Sequence, residues 1–120
     1  MWARGDGFLR SGDPAAAERY YHRALAIDPN CREALDRLLF AAIELKTQPA
    51  LDIAIAAGGR YLRTHEDAIE IRIDRAVALL VARRNGTAAT EFRWLGRQLH
   101  DQRFIKLAAH VEERAEGRRT

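Results

Sequence analysis

Cysteine is almost absent from this chain of 120 residues: Cys31 stands alone, which excludes an internal disulfide and fits a reducing compartment. Proline is scarce too, at three residues. Valine is infrequent and no stretch alternates apolar with polar residues, so no strand is expected. No apolar run reaches about 18 residues, which excludes a membrane-spanning segment. The opening residues, MWARGDGFLRSGD, lack the apolar core of about 7–15 residues that a signal peptide needs, so a cytoplasmic location is expected. Neither sign of charge dominates. Twenty Lys and Arg face 17 Asp and Glu, for a net charge of +3, and this mixed balance lacks the dense basic field of a nucleic-acid binder.

Chemistry-bearing constellations are missing as well. His22, His65, His100 and His110 never fall three or four residues apart, the spacing that would put two metal ligands on one helix face. Cys31 has no activating neighbour in sequence. Gly58-Gly59 lacks the lysine of a phosphate loop. Glu112-Glu113 lies on a helix end, where paired carboxylates have no pocket for acid-base work. No enzyme, metal or cofactor is therefore expected.

What the chain does have is helical rhythm throughout. It predicts a short helix over about 1–11, then Gly12-Asp13-Pro14 with Asp13 as cap and Pro14 in the next first turn. A second helix runs to about Ile27 with Ala17, Tyr20, Tyr21, Ala24 and Leu25 on one face. Asp28-Pro29-Asn30 breaks it, and Asn30 with Glu33 has capping-box spacing for a third helix. That helix carries Leu35, Leu38, Leu39, Ala42 and Ile43 inward. Thr47-Gln48-Pro49 precedes a fourth helix over about 50–63, where Gly58-Gly59 predicts a kink or a close crossing. Thr64 with Asp67 reads as the next cap, and Ile69, Ile73, Ala76, Val77, Leu80 and Val81 as a fifth helix. Asn85-Gly86 reads as its end, with Thr87 capping a sixth that turns Phe92, Leu95 and Leu99 inward. Phe104, Leu107, Ala108, Val111 and Ala115 stripe a seventh.

The segment GDPAAAERYYHRALAIDP, Gly12 to Pro29, with Gly5 and Phe8 before it, resembles the tetratricopeptide repeat, a helix-turn-helix unit of about 34 residues. Gly5 and Phe8 match the small and aromatic positions of its first helix. Ala17, Tyr21, Ala24 and Pro29 match those of the second. Units two and three are degenerate, keeping little beyond Leu35, Leu38, Ala54 and the Gly86-Thr87 turn. The fold class expected is all-α: antiparallel helix-turn-helix repeats forming a solenoid of about three pairs plus a C-terminal capping helix. One domain is expected over 1–117, with units of about 1–31, 32–65 and 66–100, a capping helix over 102–116 and a frayed tail at 118–120. Met1 falls inside what should be the first helix of a repeat, as in a segment cut from a longer protein.

The resemblance implies a protein-binding adaptor or scaffold whose first helices line a groove. Carried over position by position, the groove candidates are Trp2, Asp6 and Leu9, then Glu33, Asp36, Phe40 and Ile43, then Ile73, Ala76, Leu80 and Arg83. Trp2 and Phe40 are the aromatic anchors, or else cover core at the helix ends. Some members of the family clamp a carboxylate with Lys, Asn and Arg; here acidic and aromatic residues stand instead, so an apolar or basic ligand is expected. Trp94, off the inward stripe, with Arg83, Arg84, Arg93 and Arg97, forms a second, basic patch with only Glu91 opposed. Two alternatives stand beside the adaptor: a tetratricopeptide segment of a larger enzyme or secretion or assembly protein, and a regulatory module contacting nucleic acid through the arginines. The partner expected is another protein, as a peptide or a helix. A truncated first helix would also leave an apolar end through which the chain could self-associate.

Overall fold

The computed structural model describes the backbone of residues 2–119 and the side chains of residues 4–114. Among the described residues there are seven α-helices and no strand: α1 (Trp2–Arg10), α2 (Pro14–Ile27), α3 (Arg32–Leu45), α4 (Gln48–Thr64), α5 (Ile69–Val81), α6 (Asn85–Leu99) and α7 (Gln102–Arg119). The all-helical expectation holds. Links of two to four residues leave consecutive helices no room to separate, so each packs antiparallel on the next.

The first link forms as its residues dictate. An Asp13 carboxylate oxygen accepts from the Ala16 N–H at 3.1 Å, and Pro14 opens α2, where its missing N–H costs nothing. The other caps differ from expectation. Asp28, not Asn30, supplies the side chain at the second link, accepting from the Asn30 N–H at 3.1 Å, and Cys31 is the residue before α3. Thr64 belongs to the last turn of α4, its hydroxyl donating back to the Tyr61 carbonyl. Asn85 and Gly86 start α6 instead of ending α5; the turn comes earlier, with Arg83 in the left-handed region at φ 64. Lys46 and His100 close α3 and α6 the same way, at φ 59 and 51. Left-handed backbone costs a non-glycine residue about 1 kcal/mol, which at Lys46 and Arg83 the attraction of a cationic side chain to the helix C-terminus partly offsets.

Packing follows the small-and-aromatic logic of the first unit. Tyr21 is fully buried, and its ring covers the bare Gly5 backbone so closely that a Cβ there would lie 2.7 Å from Cζ. Phe8 stacks on Tyr20 at 5.2 Å between ring centroids. Leu35, Leu38, Leu39, Leu51, Ile71, Leu79 and Leu95 continue one core along the array. Two inward expectations fail. Leu99 and Leu107 are 42% and 38% exposed, because no eighth helix covers the outer sides of α6 and α7 among the described residues. Ala115 lies outside the described side chains. At the C-terminus α7 continues to Arg119, past the expected end at 116, and Thr120 lies outside the described residues.

Gly58-Gly59 produces a close crossing within an unbroken α4. The Arg75 side chain of α5 lies across the bare backbone, its Nε donating to the Ile55 carbonyl at 2.9 Å. Beyond the sequential pairs, α1 touches α3 and α3 touches α5, whereas the second helices of neighbouring pairs make little contact. First helices that approach while second helices splay make an array concave on the first-helix side. Its extents are 42 × 31 × 21 Å.

Candidate protein-binding groove

Asp36, Phe40 and Ile43 fall at i, i+4 and i+7 on α3, one line along the helix beside its buried leucines. Asp36 and Phe40 are exposed and Ile43 is half-buried. With Arg37, and with Asp74 from α5, they line a cleft of 370 Å³ between the two first helices. Phe40 is 56% exposed, the largest exposed ring among the described side chains.

Two carboxyls meet in this cleft. Asp74 is pushed up to about 7 by burial, then by its hydrogen bond and like charge with Asp36, then by the charge of Glu70. Two carboxyls from different helices thus face one another across the helix gap. Sequence reasoning chose Asp36 and missed Asp74, because only the packing of α5 on α3 joins residues 38 apart in the chain.

Other candidates are placed differently. Asp6 is occupied inside the fold: the Tyr21 hydroxyl donates to it, and Arg37 Nε lies 2.7 Å away, so one carboxylate ties α1, α2 and α3 together. The Tyr21 phenol is held well above its ordinary range by burial and by Asp6. Leu9 and Ile73 pack half-buried against the core, and Ala76 is fully buried. Glu33 is exposed at the start of α3. The Trp2 side chain lies outside the described residues.

Leu80 and Arg83 line a second cleft, of 330 Å³, between the end of α5 and α7. Its floor is Leu80, Val81, Leu107 and Val111, and Arg83 and Arg114 stand at its rim. A third cleft, of 290 Å³, opens where α2 and α4 splay, beside His22, Arg60 and Tyr61, a gap between second helices that sequence spacing does not reveal.

The basic patch is corrected. Arg84 pairs with Asp52 of α4 at 2.7 Å, and Arg93 pairs with Glu112 of α7. Glu91, expected to be its lone acid, instead takes Arg72 at 3.3 Å and Arg75 at 3.7 Å. Trp94 is half-buried beneath the Arg72 guanidinium, 3.9 Å from its ring centroid, which is a packed cation–π pair and not an open patch. Arg97 remains exposed. Neutralising partners from distant helices leave no dense basic field here.

Among the described residues, no group of three or more His, Cys, Asp or Glu could hold a metal ion, and no helix is long and apolar enough to cross a membrane.

Residues 1–42 match the family model described as tetratricopeptide repeat, a span covering α1, α2 and most of α3. No curated protein and no solved structure matches the chain. The match falls on the segment whose Gly5–Tyr21 contact has the family's packing. Such repeats are typically non-catalytic modules for protein–protein interaction.

Proposed function

We propose that the chain is an adaptor or scaffold module that takes a segment of another protein into the groove lined by α1, α3 and α5. The observation that supports this most is Phe40: a large aromatic, 56% exposed, set in a cleft between first helices with Ile43 beside it. Buried aromatics dominate interface energetics, and leaving one in water is unfavourable unless something covers it. The helix pairs act as repeat units of about 1–31, 32–65 and 66–100, with α7 capping the last. Of the groove set drawn from sequence, Asp36, Phe40 and Ile43 form the contact surface of α3, and Leu80 and Arg83 extend it toward α7. Trp2 is a further candidate at the N-terminal end.

The test is selection of a random peptide library on the wild-type chain and on Phe40→Ala in parallel. Sequences enriched on wild type and lost on Phe40→Ala are the expected result. Equal enrichment on both chains would place recognition elsewhere and sink the reading.

A further inference from the structure

The two first-helix clefts belong to one surface. Asp74, Val77 and Val81 fall at i, i+3 and i+7 on α5, all half-buried, so they form one stripe along its open face. Asp74 lines the cleft toward α3, and Val81 lines the cleft toward α7. Their chemistry differs in sign. The α3–α5 cleft sets Asp36 and Asp74 beside the Phe40 ring, and Arg37 in its wall has its Nε turned to Asp6. The α5–α7 cleft has an apolar floor, Arg83 and Arg114 at its rim, and no acidic side chain among its lining residues.

Resting on the groove reading above, we propose that the occupant is a single amphipathic segment of fixed polarity. A Lys or Arg enters the Asp36–Asp74 cleft against Phe40, apolar residues cross the Val77–Val81 stripe, and an acidic residue meets Arg83 and Arg114. The carboxyl pair suits a cation for a physical reason. Two acids that line one cleft carry an unfavourable like-charge contact, and an incoming ammonium or guanidinium between them relieves it. Spacing follows from α5. Asp74 and Val81 are seven residues apart on α5, about 10 Å along the helix axis at 1.5 Å per residue, and Arg83 lies two residues farther, in the turn that ends the helix. An extended peptide covers the helical part in about three residues at 3.3 Å each, and reaches Arg83 with about one more. The recognised core is thus a cation and a carboxylate about four positions apart, with apolar residues between.

The probes are four fluorescent peptides sharing a Leu-Trp-Leu centre, flanked by Lys and Glu, by two Lys, by two Glu or by two Gln. Affinity is read by fluorescence anisotropy against wild type, Phe40→Ala, the double variant Asp36→Asn with Asp74→Asn, and the double variant Arg83→Gln with Arg114→Gln, each checked for helical content by circular dichroism. The Lys–Glu peptide should bind wild type about 10-fold tighter than either like-charged peptide, the scale of one partly desolvated charge pair. The Asp variant should erase the preference for Lys alone, and the Arg variant the preference for Glu alone. Binding lost on Phe40→Ala but indifferent to end charge would overturn this inference and leave the groove reading standing. No binding of any of the four probes at concentrations of about 1 mM would overturn it as well. A library selection insensitive to Phe40→Ala would remove the groove reading itself.

Discussion

Arg75 donates from Nε to the Ile55 carbonyl oxygen at 2.9 Å, passing from α5 to α4 where Gly58 and Gly59 present no side chain. Its guanidinium also reaches Glu91 of α6 at 3.7 Å, so one residue links three helices. Burial lowers the Arg75 pKa from its ordinary value, Glu91 opposing that shift. A charge so placed is held by its partners and is costly to strand.

The glycines and Arg75 should therefore be energetically coupled. A Cβ at Gly58 would lie 3.0 Å from Arg75 Cδ, and the side chain is anchored at its far end. Gly58→Ala should destabilise the chain by about 1 kcal/mol, despite the propensity gain of Ala in a helix. In an Arg75→Ala background the same change should stabilise by ~0.5–1 kcal/mol. Urea denaturation of the four chains measures the coupling, and additive effects would refute it.

Gly5 and Gly7 form an internal control on α1. A Cβ at Gly5 would drive into the Tyr21 ring, whereas one at Gly7 meets nothing within 4 Å. Gly5→Ala should cost roughly 1–3 kcal/mol. Gly7→Ala should be neutral or stabilising by up to about 1 kcal/mol. Thermal melting with opposite shifts in Tm is the expected outcome.

Asp74 predicts a pH dependence of unambiguous sign. Its pKa is raised from 3.8 to about 7 in the folded chain. Between those values the folded state keeps a proton that the unfolded state has released, so this group's contribution falls as pH rises through that window. The groups facing it are Asp36 from α3 and Glu70 from its own helix, with Arg37 in the cleft wall. Asp74→Asn removes the titration. It should stabilise the chain at pH 8 by on the order of 1 kcal/mol, allowing for solvent at the cleft mouth, and leave stability at pH 4 almost unchanged. Denaturant midpoints at both pH values decide it.

Leu38 and Phe40, two residues apart on α3, should behave oppositely. Leu38 is fully buried, and Leu38→Ala should cost about 2–5 kcal/mol. Phe40→Ala removes a larger side chain yet should change stability by no more than about 0.5 kcal/mol, because the ring is already largely in water. A large loss on Phe40→Ala would mean that the ring covers core and is not an anchor held for a partner.

Much of this molecule is legible in the residue order, and the reason is local. Helix periodicity, Asp13 before Pro14, and the pairing of Gly5 with Tyr21 depend on residues within about one repeat of one another. They suffice for seven helices in antiparallel succession and for the α3 line of Asp36, Phe40 and Ile43. Link details were less legible, because a left-handed Arg83 or His100 breaks the usual preference for Gly and Asn at helix ends.

The sequence by itself determined the helical array and the aromatic on its open face, since periodicity and side-chain size act over a few residues. Only the tertiary structure decided how the charges are spent. It brings Asp74 to Asp36, closes Asp6 onto Tyr21 and Arg37, and hands Arg84 and Arg93 to Asp52 and Glu112. Electrostatic partners are chosen by distance in space, and helix stacking makes neighbours of residues that the chain keeps 15 to 38 positions apart.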